Sequence, residues 1–122
     1  MQQHISKEFP LEACGLLAGI ENKVEKVIPV KNVAKSSVRF RMDAQEQYNS
    51  FKWIEANGLE LVGIYHSHPN GPASVSESDL AEAAYAVVNI VWSQVGGAWV
   101  ANGFWIEGGT ASKVSLQTLG KE

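Results

Sequence analysis

The sequence predicts an α/β domain, a mixed and mainly antiparallel β-sheet flanked by two or three helices. Three observations carry that expectation. Short apolar runs bounded by Gly, Pro and Asn recur along the chain, as strands separated by turns do. One stretch between Asp43 and Gly58 repeats its apolar residues at helical spacing. That helix leads at once into the apolar run 61–65, which puts a helix ahead of a central strand. With 122 residues, 45% of them hydrophobic, the chain suffices for one core and one domain spanning 1–122.

Taken in order, residues 2–8 read as the last turns of a helix ended by Pro10, with His4 on its surface. The apolar run 13–20 reads as a buried strand, Glu21-Asn22-Lys23 as a polar turn, and 24–30 as a second strand. Pro29 puts the end of that strand at a sheet edge. Val38, Phe40 and Met42 alternate with Arg39 and Arg41, which predicts a half-buried strand with a basic outer face. Asp43 is a good N-cap; Ala44, Tyr48, Phe51 and Ile54 or Glu55 follow at helical spacing, their aromatics assigned to the core, and Gly58 caps the end. Beyond the run 61–65, residues 80–85 read as a short helix and 87–92 as another buried strand. Gly96-Gly97 makes a turn, and 98–101 and 104–106 are strand-like. Asn102-Gly103 between them is a hairpin signal. Gly108-Gly109 turns the chain again before a last strand through Val114 and Leu116.

Composition excludes several classes of function. A net charge of -3 with no basic run argues against nucleic acid as the main partner. No stretch approaches ~18 uninterrupted apolar residues, so no membrane partner is expected. The single Cys14 has no partner for an internal disulfide, which makes a reducing cytoplasm the default location and a buried small hydrophobe its expected role. The sequence sets no oligomeric state.

Chemistry concentrates in Gly63-Ile64-Tyr65-His66-Ser67-His68-Pro69, followed by Ser76 and Asp79. Side chains alternate along a strand, so His66 and His68 share a face, roughly 6.5–7 Å apart at Cα. Two imidazoles so placed can meet on one metal ion at about 2.0–2.1 Å each. Pro69 lacks an amide donor and ends the ladder, and Asn70-Gly71-Pro72 turns the chain. Asp79 offers a third ligand; three protein ligands with an open fourth position is how catalytic zinc is held. Plainer readings exist. A His-x-His pair at a strand end can be incidental, and Ser76-Glu77-Ser78-Asp79 is also a helix capping box. The two readings of Asp79 are compatible, because a helix N-terminus can aim a carboxylate at a neighbouring strand end.

The string His66-x-His68-x(10)-Asp79, with Ser76 three before the acid, resembles the signature of the JAMM (MPN-plus) metallopeptidases. Pro10-Leu11-Glu12-Ala13-Cys14-Gly15-Leu16-Leu17 resembles the upstream glutamate segment of the bacterial single-domain members. The likeness runs from about Phe9 to Leu116. Val75 stands where relatives often have proline, and the family's first strand and part of its first helix are expected ahead of where this chain starts. The resemblance implies a JAMM/MPN-like, cytidine-deaminase-like fold in which 98–106 is one longer strand with an irregularity. It implies one catalytic Zn2+ on His66, His68 and Asp79, Glu12 as general base and acid, and Ser76 as oxyanion donor. The implied reaction is hydrolysis of a peptide or isopeptide bond after the C-terminal Gly-Gly of a ubiquitin-like or sulfur-carrier protein, carrier–cysteine adducts included. Ser67 points to the opposite strand face and is expected outside the site.

Competing enzyme classes fit less well. Zinc deaminases need His-x-Glu and a later Pro-Cys-x-x-Cys, against one cysteine here. Amidohydrolases with His-x-His need a (β/α)8 barrel of at least ~200 residues. A cupin would place a glutamate where Gly71 and Pro72 stand. The alternative from another class is a non-catalytic MPN-type scaffold that binds partner proteins, but such modules typically lack the ligand residues.

Overall fold

Six strands build one sheet in the order β2-β1-β3-β4-β5-β6. The computed structural model describes residues 1–72, 74–76, 79–80 and 85–117. Its elements are α1 (Gln2–Glu8), β1 (Cys14–Ile20), β2 (Lys23–Val30), α2 (Ala44–Ala56), β3 (Glu60–His68), β4 (Val87–Val95), β5 (Ala98–Glu107) and β6 (Thr110–Val114). Neighbouring strands run antiparallel except β3 and β4, which run parallel. The mixed, mainly antiparallel α/β class read from the sequence is therefore the class observed. No helix among the described residues is long and apolar enough to cross a membrane.

Each strand boundary has a local cause. Glu21 and Asn22 both take positive φ (50° and 68°), which closes the β1–β2 hairpin with the backbone twist that two-residue turns need. Pro29 lies in β2, an edge strand, where a missing amide breaks no ladder. Asp43 caps α2 by accepting the Glu46 amide at 2.8 Å, and Gly58 just past the helix takes φ +68°. The parallel pairing of β3 and β4 cannot be made by a tight turn; it requires a crossover of a dozen or more residues. Residues 69–86 make that connection, and with it Ser76 and Asp79 come to the C-terminal end of β3, where the histidines sit.

Two apolar layers cover the sheet. Ile5 of α1 packs with Ala13, Leu17, Tyr65 and Ile90 on one face. Val91, Phe104 and Ile106 make the core of the other, with Val75 and Leu80 packed against them.

Several expectations need correction. Residues 38–42 do not form a strand: Val38 is 73% exposed, and only Met42 makes an isolated bridge, to Asn32. The backbone on either side of Phe40 bonds instead to the Asn32 side chain, through Arg39 O and Arg41 N, so no ladder can form. Tyr48 and Trp53 of α2 are exposed rather than core, lying beneath Lys52 and Lys26 respectively as cation–π partners, and Ile54 is the buried residue of that helix. His4 is half-buried, with Nδ1 2.8 Å from the Tyr65 hydroxyl. Asn102-Gly103 is neither hairpin nor irregularity, because β5 pairs with β4 in unbroken register from Ala98 to Ile106. Gly103 serves packing: a Cβ there would lie 2.6 Å from a Leu116 methyl. The predicted helix over 80–85 falls largely outside the described residues; Asp79 and Leu80 are helical.

Gly15 shows how closely the layers fit. A Cβ at that position would lie 2.3 Å from the ring of Tyr65, which is fully buried and held by His4. Gly15→Ala is therefore expected to destabilise the fold by about 1–3 kcal/mol, the usual cost of overpacking. Urea denaturation checks this, and an unchanged midpoint would show that the Tyr65 ring yields freely.

Candidate metal centre

Side-chain alternation along β3 puts His66 and His68 on one face and Tyr65 and Ser67 on the other. Both histidines are buried, at 0% and 5% exposure. In register, His66 lies opposite Cys14 of β1 and Val91 of β4, and His68 opposite Ser93. Glu12, two residues ahead of Cys14, comes to the same face at 2% exposure.

Asp79 arrives from the crossover. Its Oδ2 accepts the Ser76 amide at 2.9 Å, while Ser76 Oγ accepts the Asp79 amide at 3.1 Å, so the capping box is formed in both directions. Val75 and Leu80 bracket this box at the positions of a hydrophobic staple, and both rest on the Val91–Phe104–Ile106 cluster. Valine in place of proline at 75 thus keeps the anchor.

The result is a triangle. His66 Nε2 and His68 Nε2 lie 3.1 Å apart, and Asp79 Oδ2 lies 3.0 Å from the first and 3.1 Å from the second. His68 Nδ1 is 3.0 Å from the Pro72 carbonyl, which can only accept, so Nδ1 carries the proton and Nε2 of the neutral ring offers a lone pair. A proton on His66 Nε2 would serve two edges of the triangle and leave the His68–Asp79 edge as acceptor facing acceptor. A cation serves all three. Four-coordinate zinc at about 2.0 Å separates its ligands by roughly 3.3 Å, close to the spacing found. The buried Glu12 Oε1 has no hydrogen-bond partner among the described residues. Ligand atoms of Glu12, His66 and His68 lie within 4.8 Å of one another, so these residues could also hold a metal ion between them.

Burial and charge tune the group. Burial pushes Glu12 up to about 7, with His68 pulling it down and Asp79 pushing it up. Burial would also raise Asp79, but the hydrogen bonds from His66 and His68 hold it well below the usual carboxylate range. Burial lowers His66 despite its hydrogen bond to Asp79; for His68 the same penalty is outweighed by Asp79 and the Pro72 carbonyl, and it rises. Cys14 is a fully buried free thiol pushed up to about 12 by burial, which suits a packing residue and not a nucleophile.

All five residues singled out in the sequence are thus gathered at one end of β3. The sequence reading missed three that support them. Ser67 is turned away from the histidines, as expected, yet its Oγ accepts the Ala13 amide at 2.8 Å and its own amide bonds to Ala13 O at 3.0 Å. Asn32 donates to the Glu12 carbonyl at 2.9 Å. Phe40 stacks on His66. Strand alternation placed Ser67 outside the site and Phe40 in a half-buried strand, and nothing in the sequence singled out Asn32.

Residues 1–107 match the model of the prokaryotic homologs of the JAB domain. The chain belongs to that family. Among curated JAB-like relatives, a "Probable TtuB-protein conjugate cleaving protease" of Thermus thermophilus is 39% identical over 76% of this chain and 63% of its own length. A "Desampylase" of Pyrococcus furiosus is 43% identical over 57% of this chain and 50% of its own. A "CysO-cysteine peptidase" of Mycobacterium tuberculosis is 37% identical over 66% of this chain and 56% of its own. The matched segments thus span between half and just under two thirds of those proteins. A solution structure of a protein from Desulfitobacterium hafniense superposes with TM-score 0.80 at 31% identity, covering 92% of this chain and 81% of that one.

The buried Glu12 carboxyl makes a prediction for the protein kept metal-free with EDTA. A carboxyl raised from 4.5 to about 7 binds its proton in the folded state while the unfolded chain has lost it. Folding stability should therefore fall as pH rises from about 4.5 to 7. Glu12→Gln removes the titration, so the variant should be more stable than wild type at pH 8 and lose that advantage near pH 5. Chemical denaturation at the two pH values decides it; parallel profiles would mean that Glu12 does not titrate near neutrality.

Proposed function

We propose that this chain is a single zinc-dependent peptidase or isopeptidase domain over residues 1–122. It would hydrolyse the bond after the C-terminal Gly-Gly of a ubiquitin-like or sulfur-carrier protein, carrier–cysteine adducts included. The observation that carries this reading is the triangle of His66 Nε2, His68 Nε2 and Asp79 Oδ2 with the buried Glu12 beside it, whose Oε1 has no hydrogen-bond partner among the described residues. The activities for which the relatives from Thermus, Pyrococcus and Mycobacterium are named support the substrate class. We place the reaction in the cytoplasm, for which the free thiol of Cys14 is the support.

His66, His68 and Asp79 would hold one Zn2+, which when bound supplies a Lewis acid and brings the pKa of water towards about 7. Pro72 keeps His68 in the tautomer that offers Nε2, and the Ser76 amide fixes which oxygen of Asp79 faces the pair. Glu12 takes the proton of the attacking water and passes it to the departing amine. A carboxyl poised near 7 suits both acts at neutral pH, a contribution of ~10²–10⁴-fold. Ser76 Oγ accepts the Asp79 amide at 3.1 Å, and we assign its hydroxyl proton to the oxyanion, a contribution of order 10²–10³-fold. A flexible Gly-Gly tail brings its extended backbone close to such a crowded centre without side-chain obstruction.

The test uses a ubiquitin-like carrier fused through Gly-Gly to a reporter. Zinc-loaded wild type should cleave it, Glu12→Gln should lose ~10²–10⁴-fold in kcat, and Ser76→Ala on the order of 10²-fold. Elemental analysis should find one zinc per chain in wild type and none in His68→Ala. No stoichiometric zinc in the wild type would favour the non-catalytic scaffold, and equal cleavage by Glu12→Gln would remove Glu12 from the chemistry.

A further inference from the structure

The two histidines are held by different means. His68 donates Nδ1–H to the Pro72 carbonyl at 3.0 Å, the usual way a ligand imidazole is oriented. His66 is fully buried, and its Nδ1 has no hydrogen-bond partner among the described residues. What covers it is Phe40, stacked with ring centroids 4.6 Å apart and planes 28° from parallel.

Phe40 stands in an irregular segment whose backbone is gathered by one side chain. Asn32 Oδ1 accepts the Ala34 amide at 3.0 Å and the Arg41 amide at 2.9 Å. Its Nδ2 donates to the Arg39 carbonyl at 3.3 Å and the Glu12 carbonyl at 2.9 Å. Two amides meet the oxygen and two carbonyls meet the nitrogen, so only one orientation of the side-chain amide fits. The Glu12 amide in turn donates to Ser36 O at 2.8 Å. Both backbone polar groups of Glu12 are therefore committed to the segment that lays an aromatic ring on His66.

We propose that Asn32 and Phe40 are positioning residues of this site. Asn32 locks the backbone of Glu12 to the residues on either side of Phe40, and Phe40 fixes the plane of His66 in place of a hydrogen bond. The inference rests on the metallopeptidase reading for its effect on rate, and on geometry alone for its effect on the side chains. His66 Nε2 is tied to Asp79 and His68, but the Nδ1 side of the ring is held by packing alone, and rotation there would swing Nε2 away from both partners. A displaced base costs rate even where binding is intact, because catalysis is sensitive to errors of about 1 Å.

Two substitutions separate the roles. Phe40→Leu keeps an apolar contact but removes the flat face, and Phe40→Tyr restores it. Asn32→Asp keeps the acceptor for Ala34 and Arg41 but loses both donors, including the one to Glu12. In metal-free protein, NMR of the His66 ring protons should show an upfield ring-current shift that is lost in Phe40→Leu and regained in Phe40→Tyr. Zinc affinity by chelator competition should fall on the order of 10–100-fold in Phe40→Leu and recover in Phe40→Tyr. Asn32→Asp loosens the segment that carries Ser36, so the Glu12 amide held by Ser36 O should exchange at least ~tenfold faster, and kcat on the Gly-Gly fusion should fall by ~10–100-fold with KM little changed. Unchanged ring shifts and zinc affinity in Phe40→Leu, or failure of Phe40→Tyr to restore them, would overturn the role of Phe40. Unchanged Glu12 exchange in Asn32→Asp would overturn the role of Asn32. If wild type cleaves no fusion, the proposed function fails, while the ring shifts, zinc affinity and amide exchange still decide the positioning.

Discussion

The register between β1 and β3 is the constraint on which the site depends. Side chains alternate with period two, so a slip of one residue would carry His66 and His68 to the opposite face and bring Tyr65 and Ser67 to theirs. The pairing of Cys14 with His66 fixes the correct alignment, and beyond the end of β1 it is continued by the two bonds between Ser67 and Ala13. Because those bonds lie on the residue just after Glu12, they also set where the Glu12 carboxylate leaves the sheet. A serine turned away from the chemistry therefore governs the distance between the carboxylate and the histidines.

Around that register the molecule gathers groups that oppose folding. Two imidazoles and two carboxylates share one buried end of β3, and Glu12 Oε1 and His66 Nδ1 have no partner among the described residues. Buried polar groups without partners cost on the order of 1–3 kcal/mol each. Such costs persist where function needs them and the rest of the fold offsets them. Here the offset is visible on both faces of the sheet, with Ile5 and Tyr65 packed on one side and Val91, Phe104 and Ile106 on the other.

The parts of the site that were legible in the sequence are those with fixed spacing on regular elements. His66 and His68 follow from strand alternation, and Ser76 with Asp79 from the geometry of a helix N-terminus. Glu12 was legible only through its resemblance to a family segment, because nothing local distinguishes it from other acids. Asn32 and Phe40 escaped notice because they act from an irregular segment, where bonds run from one side chain to several backbone groups and leave no period. The alternation of Val38, Phe40 and Met42 even pointed to the wrong element, since Asn32 takes the backbone groups that a strand would have used. Asn102-Gly103 misled for the opposite reason: the local turn preference was overridden by a full ladder with β4 and by the need for a small residue beneath Leu116.

The support of the site is divided between two segments that are distant in sequence. The crossover 69–86 orients His68 through Pro72 and brings Asp79 in on its cap. The segment 31–43 covers His66 with Phe40 and holds the Glu12 backbone through Asn32 and Ser36. Each segment thus supports one histidine and one carboxylate, and the pairs meet where His66 Nε2 faces Asp79 Oδ2 and His68 Nε2. The segment 31–43 is irregular, so it could not keep its side chains in place on propensity alone. The first is anchored by apolar contacts of Val75 and Leu80 with the sheet, the second by the four bonds of a single amide. A hydrogen-bonded anchor is directional where an apolar one tolerates sliding. Directional bonds act on both sides, the Ser76–Asp79 cap and the Pro72 carbonyl on one and the Asn32 amide on the other, while apolar contact with the sheet adds to the first.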